Sequence, residues 1–166
     1  MQEVFVKPAV GAIIERNVNG RDCILIKQRY KEGDTDRLFE IPTGKIREYE
    51  DIFQTLRREI REETGLKIKE IKGEGDVTVS KVNGYTVTSF MPFCVSQNLC
   101  GGYSLMVQVF ICKADGEPFE KSDESINIRW IPVEKLKKML EEDESKFFPK
   151  HINPLKKYIS LKYIAE

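Results

Sequence analysis

The chain has 166 residues, of which 40% are hydrophobic and 33% are charged, as in an ordinary soluble globular protein. Lys+Arg and Asp+Glu both number 27, so the formal net charge at pH 7 is zero. This balance argues against a bulk electrostatic attraction to nucleic acid or to an anionic membrane, and any basic patch must be local. The N-terminal residues MQEVFVKPAV contain no apolar run of signal-peptide length, and no later run is long enough for a membrane span.

The cysteines, at positions 23, 94, 100 and 112, form no C-x-x-C pair, and His151 is the single histidine. This spacing argues against a structural zinc site, and a chain of this length does not need disulfides for stability. We therefore expect reduced thiols in a cytoplasmic protein. No repeat or low-complexity linker divides the sequence, which predicts a single domain over residues 1–166.

Six segments are predicted to be strands because they are apolar and rich in β-branched or aromatic residues. The turn NGRD joins the first two, and Asn83-Gly84 joins the next two, so each pair is predicted to form a hairpin. The six segments are AVGAIIERNV (9–18), CILIKQRY (23–30), VTVSKV (77–82), YTVTSFMPFCV (85–95), YSLMVQVFICKA (103–114) and INIRWIPV (126–133).

Three segments are predicted to be helices: residues 51–64, ending at Gly65, residues from about Pro132 to 146, and residues 152–166. The apolar residues expected to face the core are Phe53, Leu56 and Ile60 in the first helix, Leu136, Met139 and Leu140 in the second, and Leu155, Tyr158, Ile159 and Tyr163 in the third. Strands mixed with helices predict an α/β (α+β) fold in which a mixed sheet lies between helices.

The first predicted helix carries three glutamates, Glu59, Glu62 and Glu63, on or beside its apolar face. At about 100° per residue Glu63 falls inside the apolar arc, whereas Arg58 and the neighbouring arginines are expected to point the other way. Carboxylates spaced i, i+3 and i+4 repel one another unless a cation lies among them. Oxygen ligands suit Mg²⁺ or Mn²⁺, particularly an ion that also binds phosphate. The alternative is a charged helix whose glutamates pair with nearby arginines and lysines.

The segment GKIREYEDIFQTLRREIREETGL, from Gly44 to Leu66, matches the pattern G-x5-E-x7-R-E-U-x-E-E-x-G-U at all nine defined positions, U being a bulky aliphatic residue. This pattern is the signature of the Nudix hydrolases, and the chain resembles that MutT-like family. The flanking segments LFEIPTGK and IRWIPVEKL resemble the family less specifically. The resemblance implies the family's α/β/α sandwich, with a mixed sheet between helices, and a loop–helix–loop metal site.

The resemblance also implies roles for the acidic and basic residues of this box. Glu59, Glu62 and Glu63 would hold Mg²⁺ or Mn²⁺, with the Gly44 carbonyl as a further ligand, and Arg58 would orient a carboxylate. The implied reaction is hydrolysis of a diphosphate linkage in a nucleoside diphosphate joined to another group. The metal would activate a water molecule for in-line attack at phosphorus, and a glutamate would take its proton.

Four other box residues are given structural roles by the same resemblance. Glu50 would brace the loop by pairing with the box arginine. Gly44 and Gly65 would serve backbone conformations that a Cβ hinders. Ile60 and Leu66 would anchor the motif in the core.

Outside the box, the sequence offers candidates for catalysis and for substrate binding. Glu124 is the acidic residue chosen as catalytic base or extra ligand, because it precedes the predicted closing strand and should therefore lie at an end of the sheet. Arg29 and Arg37 are candidates for holding phosphate. Gln97 and Asn98 are candidates for lining a base pocket, since they lie in a polar, glycine-rich loop between two apolar strands.

The substrate favoured by these patterns is a nucleoside triphosphate or another small nucleotide. Residues 80–84, SKVNG, have neither the proline nor the tyrosine typical of ADP-ribose and diadenosine-polyphosphate hydrolases. The alternatives are an ADP-ribose or nucleotide-sugar pyrophosphatase, and a non-catalytic nucleotide sensor on the same fold. RNA 5′-end processing would need a basic surface that the neutral composition does not indicate. A homodimer is implied only by the resemblance, because members of the family are often dimers.

Overall fold

The structure of the protein, a computed structural model, describes residues 1–33 and 35–164. In this part of the chain the strands are β1 (Lys7–Val18), β2 (Arg21–Arg29), β3 (Phe39–Glu40), β4 (Thr43–Lys45), β5 (Lys67–Ile71), β6 (Thr78–Val82), β7 (Tyr85–Ser89), β8 (Cys94–Gln97), β9 (Leu105–Asp115), β10 (Lys121–Ser122) and β11 (Ser125–Pro132). The helices are α1 (Ile52–Thr64), α2 (Val133–Glu142) and α3 (Pro149–Ile164).

Nine of these strands form one mixed sheet. Its main path runs β10-β11-β2-β1-β9-β5, with β3 beside β2, β4 beside β1 and β8 beside β9. The central strands β1 and β9 are parallel, and the other pairings are antiparallel. The strands β6 and β7 form a separate, exposed hairpin.

Helices cover both faces of the sheet, and the alternation of side chains along β1 shows how the two cores arise. Val10, Ala12 and Ile14 pack in the core beneath α1. Ala9 and Ile13 point to the opposite face and pack in the core formed with α2 and α3. Successive side chains of a strand face opposite sides, so one central strand contributes to both layers. The predicted mixed sheet between helices is confirmed.

The six predicted strands are present, with one interruption and one omission. The segment 85–95 divides into β7 and β8 around Pro92, whose missing N–H cannot take part in a ladder. The strand β5 was not predicted from the sequence; two of its five residues, Ile68 and Ile71, are buried beneath α1. Its weak pattern KIKEI explains the omission, because lysine and glutamate are depleted in strands.

The three predicted helices are present with shifted ends. The second ends at Glu142 instead of residue 146, and the third begins at Pro149; its expected last residues, 165 and 166, lie outside the described part of the chain. The prediction that Tyr163 faces the core is wrong, since it is 37% exposed. Its ring instead lies 4.3 Å from the Lys137 ammonium of α2, where the two helices meet at the surface.

All four cysteines carry free thiols, and Cys23 and Cys112 are buried. Burial raises the pKa of both thiols, so they behave as core residues. Among the described residues, no helix combines the length and apolar character required to cross a membrane.

His151 connects α3 to the segment that leads into the box. It is fully buried, and its Nδ1 accepts a hydrogen bond from the Ile41 N–H at 3.1 Å. Burial, together with repulsion from Lys150, Lys27 and Arg29, lowers its pKa well below the usual value. The folded protein therefore keeps this imidazole neutral.

We expect His151 to make a contribution that lowers the free energy of unfolding as the pH falls below about 6.5, because the unfolded chain then protonates His151 and the folded chain does not. One such proton gives a slope of up to about 1.4 kcal/mol per pH unit. Urea unfolding of wild type and His151→Asn over this range checks the prediction. Because the chain has a single histidine, the difference between the two slopes isolates this residue. Parallel curves would contradict the assignment.

Candidate active site

The box helix α1 is fixed at both ends by local interactions. Asp51 caps its N-terminus by accepting hydrogen bonds from two first-turn N–H groups, at 2.9 and 3.2 Å. Gly65 ends it with a left-handed φ of 76°, a conformation open to glycine. Ile60 and Leu66 are fully buried, so the predicted anchors hold the helix against the sheet.

The two box glycines are required for different reasons. Gly65 has the predicted left-handed backbone, and a Cβ there would also lie 2.6 Å from the Phe119 ring. Gly44 lies outside the left-handed region, so the expected hindrance by a Cβ comes from a neighbouring side chain and not from the backbone dihedral angles. A Cβ on Gly44 would instead fall 2.0 Å from Cδ of Glu59. The bare glycine leaves room for this carboxylate.

Arg58 gathers three carboxylates of the box around one guanidinium. Its Nε and Nη2 donate to the two oxygens of Glu50, at 2.7 and 2.8 Å. Its Nη1 donates to Glu59 and lies 3.5 Å from Oε2 of Glu62. The hydrogen bonds from Arg58 lower the pKa of Glu50 to about 2. The expected pairing with Glu50 is therefore present, but Arg58 does not point away from the glutamates, since its long side chain folds back toward them.

Glu63 is turned away from this arginine and toward the sheet. Its Oε2 is buried, lies 3.5 Å from the Lys27 ammonium and has no hydrogen-bond partner among the described residues. Burial raises the pKa of Glu63 to about 7; the Lys27 charge opposes the rise, and Glu40 and Glu59 add to it. Glu63 is thus an under-compensated carboxylate at the edge of the core.

A buried polar network that the sequence reading missed lies behind Glu63. The Lys27 ammonium donates to Glu40 at 2.6 Å and to Ser125 at 2.8 Å. The second oxygen of Glu40 accepts from Nη1 of Arg29 at 2.9 Å. Strand alternation could have predicted part of this network. Lys27 follows Leu25 by two residues in β2, so both side chains face the same side of the sheet, and Leu25 packs beneath α1.

The residues present suit a divalent cation. The donors are oxygens of Glu59, Glu62 and Glu63, the set that Mg²⁺ and Mn²⁺ prefer. The bare Gly44 leaves room for the Glu59 carboxylate, and the buried Oε2 of Glu63 lacks a hydrogen-bond partner among the described residues. Within the described ranges, no three acidic, cysteine or histidine side chains already converge as a ligand set. Arg58 contacts Glu59 and Glu62, and Glu63 faces the sheet.

The structure places Glu124 and Arg37 at the end of β2, beyond the box. The Glu124 carboxylate is 62% exposed and lies 2.8 Å from the Lys31 ammonium. The guanidinium of Arg37 lies 5.2 Å from the Tyr30 ring centroid. Neither residue touches a box glutamate, but Glu124 directly precedes Ser125 of the buried network. Their predicted roles stay predictions.

The loop that contains Asn98 approaches the box glycine strand. The Tyr103 ring lies 5.7 Å from the Lys45 ammonium, next to Gly44. The Asn98 amide donates to two carbonyls of its own loop, so it shapes the loop. Gln97 ends β8, where it pairs with Met106.

A family model described as NUDIX domain matches residues 6–151 of the chain. No curated protein matches the sequence. Solved structures do, including a MutT NUDIX hydrolase from Burkholderia pseudomallei (22% identity, TM-score 0.56, 77% of this chain and 84% of that one). A C. elegans Ap4A hydrolase binary complex is similar at 17% identity (TM-score 0.55, 95% and 98%). So is the NUDIX domain of Shewanella oneidensis NrtR complexed with ADP ribose, at 14% (TM-score 0.60, 82% and 79%). At these identities, the similarity to the solved structures shows a shared fold.

We expect Gly44→Ala to weaken Mn²⁺ binding by about 10-fold or more, the range seen when groups that support ligands are disturbed. The new methyl group would occupy the space of the Glu59 carboxylate. The matched control is Gly75→Ala, where a Cβ meets nothing within 4 Å. Calorimetric Mn²⁺ titration of the three proteins measures the effect. Equal affinities would show that the absence of a Cβ at Gly44 has no role in metal binding.

Proposed function

The chain belongs to the Nudix family of pyrophosphohydrolases, and we propose that it hydrolyses the diphosphate linkage of a small nucleotide, with a nucleoside triphosphate as the favoured substrate class. The carrying observation is that the bare Gly44 makes room for the Glu59 carboxylate, while the buried Oε2 of Glu63 has no hydrogen-bond partner among the described residues. The box is complete, which supports catalysis over the alternative of a non-catalytic nucleotide sensor. The fold neighbour complexed with ADP ribose supports an ADP-ribose or nucleotide-sugar pyrophosphatase as the second candidate.

Each box residue has a task in this proposal. Glu59, Glu62 and Glu63, with the Gly44 carbonyl, would hold Mg²⁺ or Mn²⁺. When bound, the ion would neutralise phosphate charge and lower the pKa of a water molecule. Arg58 orients Glu59 by a hydrogen bond. The Arg58 guanidinium is itself fixed by two hydrogen bonds to Glu50 of the loop.

Two carboxylates are proposed as acceptors of the water proton. Glu124 is the candidate outside the box, at the end of a sheet strand and next to Ser125 of the buried network. Glu63 is the candidate within the box, because its Oε2 is buried and has no hydrogen-bond partner among the described residues. A residue that both binds metal and accepts the proton would lose both functions on substitution.

We propose that the substrate is held by groups on two sides of the box. Arg29 is proposed as a phosphate contact; its Nη1 pairs with Glu40, whereas its Nε has no hydrogen-bond partner among the described residues. Arg37 is proposed as a further phosphate contact from the neighbouring loop. Gln97 and Asn98 belong to a loop whose approach to Lys45 supports a role at the nucleotide base.

The wider setting is proposed from the sequence. We propose a cytoplasmic location, which the free thiols support, and one domain over residues 1–166. The proposed partner is a small nucleotide, with neither a membrane nor nucleic acid involved. A homodimer is proposed by analogy with relatives.

A panel of nucleoside triphosphates, ADP-ribose and nucleotide sugars, assayed with Mg²⁺ and with Mn²⁺, tests the proposal. We expect turnover of a triphosphate that a chelator abolishes. Glu59→Gln and Glu63→Gln should lower kcat by about 10²-fold or more, because a neutral amide cannot replace a metal-binding carboxylate. Glu50→Gln should lower kcat less, because the proposed role of Glu50 is to brace the loop. Each variant's unfolding midpoint controls for the fold. Near wild-type turnover by all three would show that the box is structural.

The pH–rate profile of Glu124→Gln distinguishes the two proposed proton acceptors. If Glu124 is the base, its variant should lose kcat steeply and keep its Mn²⁺ affinity. Glu120→Gln is the matched control, because Glu120 is an exposed acidic residue of the same loop region. An active Glu124→Gln beside an inactive Glu63→Gln would instead assign the proton to the box.

A further inference from the structure

The ammonium group of Lys27 is enclosed by three oxygen-bearing side chains. The residue is only 2% exposed, and its Nζ lies 2.6 Å from Glu40, 2.8 Å from Ser125 and 3.5 Å from Glu63. An ammonium has three N–H donors and no acceptor. Two donors are satisfied by hydrogen bonds, and the third oxygen is within ion-pair distance only. Lys27 therefore makes a hydrogen-bonded ion pair with Glu40 and a longer ion pair, without a hydrogen bond, with Glu63 of the box.

Lys27 supplies the positive charge that Arg58 does not. Arg58 compensates the glutamates on its own side of α1, but it makes no ion pair with Glu63. Among the described residues, Lys27 is the cation within ion-pair distance of Glu63. Glu40 shares its charge between Lys27 and Arg29. The charge left on Lys27 is therefore available to Glu63.

We propose that Lys27 is a built-in counter-cation that competes with the divalent ion for Glu63 and so sets how tightly the site holds its metal. The inference rests on the proposed function, in which Glu63 is a metal ligand. A divalent ion beside Glu63 would lie a few ångströms from a fixed ammonium. At such distances in a partly buried site, repulsion between like charges is only weakly screened. Lys27 is thus a positioning residue, which acts through Glu63.

This competition has two opposite consequences when the ammonium is removed. Without metal, Glu40 and Glu63 lose their shared cation, so the fold becomes less stable, as expected for a buried ion pair with one partner missing. With metal, the repulsion is gone and Glu63 binds the ion without a competitor. A ligand that binds the native state more tightly raises the unfolding midpoint further. Metal should therefore stabilise a Lys27 variant more than it stabilises the wild type.

The test compares wild type with Lys27→Met, which keeps the aliphatic stem and removes the charge. We expect Lys27→Met to have a lower unfolding midpoint in a chelator, an Mn²⁺ affinity increased by about 10-fold or more because the like-charge repulsion is removed, and a larger rise of the midpoint on adding Mn²⁺. Lys27→Arg keeps the charge and should stay near the wild-type affinity. Ser125→Ala removes one neutral acceptor, keeps every charge, and should also bind Mn²⁺ like the wild type.

An Mn²⁺ affinity of Lys27→Met equal to or below that of the wild type, including equal absence of binding, overturns the proposal. If Lys27→Met does not fold, Lys27→Met/Glu40→Gln is compared with Glu40→Gln, because removing one positive and one negative charge keeps the net charge of the buried cluster. The double variant must then bind Mn²⁺ more tightly than Glu40→Gln. Turnover is not the readout. A wild type that binds Mn²⁺ but hydrolyses no nucleotide would contradict the proposed function and leave the affinity comparison intact.

Discussion

Repulsion among the glutamates of one helix is the constraint on which the rest of this structure depends. Carboxylates removed from water need compensating charge, or their ionised forms become unfavourable. The protein provides two separate cations, one on each side of α1. Arg58 acts from within the helix and is itself held by Glu50, whereas Lys27 acts from the sheet and is held by Glu40.

The two cations differ in the kind of compensation they give. The planar guanidinium of Arg58 binds Glu50 through two parallel hydrogen bonds, a geometry that fixes direction as well as charge. The ammonium of Lys27 is a compact point charge that reaches Glu63 at 3.5 Å without a hydrogen bond. The Arg58–Glu50 pair is therefore rigid, whereas the Lys27–Glu63 pair can be replaced by an interaction of Glu63 with another cation. A site that must admit a metal and a phosphate benefits from this difference.

The fold supplies these cations through simple rules of strand geometry. Residues of one parity in β2 face α1, and this places Leu25 in the core and Lys27 two residues later beneath Glu63. The short strand β3 pairs with β2, with Glu40 opposite Lys27. The neighbouring β4 brings Gly44 against Glu59. The box helix thus receives these partners from three strands that all lie within residues 21–45, the part of the chain shortly before the helix.

The sequence by itself determined the box helix, its cluster of carboxylates and the layered fold, because helical and strand periodicities and stop residues such as Gly65 act over a few neighbouring residues. It did not reveal which cation meets Glu63. Lys27 and Ser125 are separated by 98 positions yet touch, and a contact of that kind has no local pattern. Only the packing of α1 on the sheet decided it, because burial removes the water that would otherwise satisfy these charges.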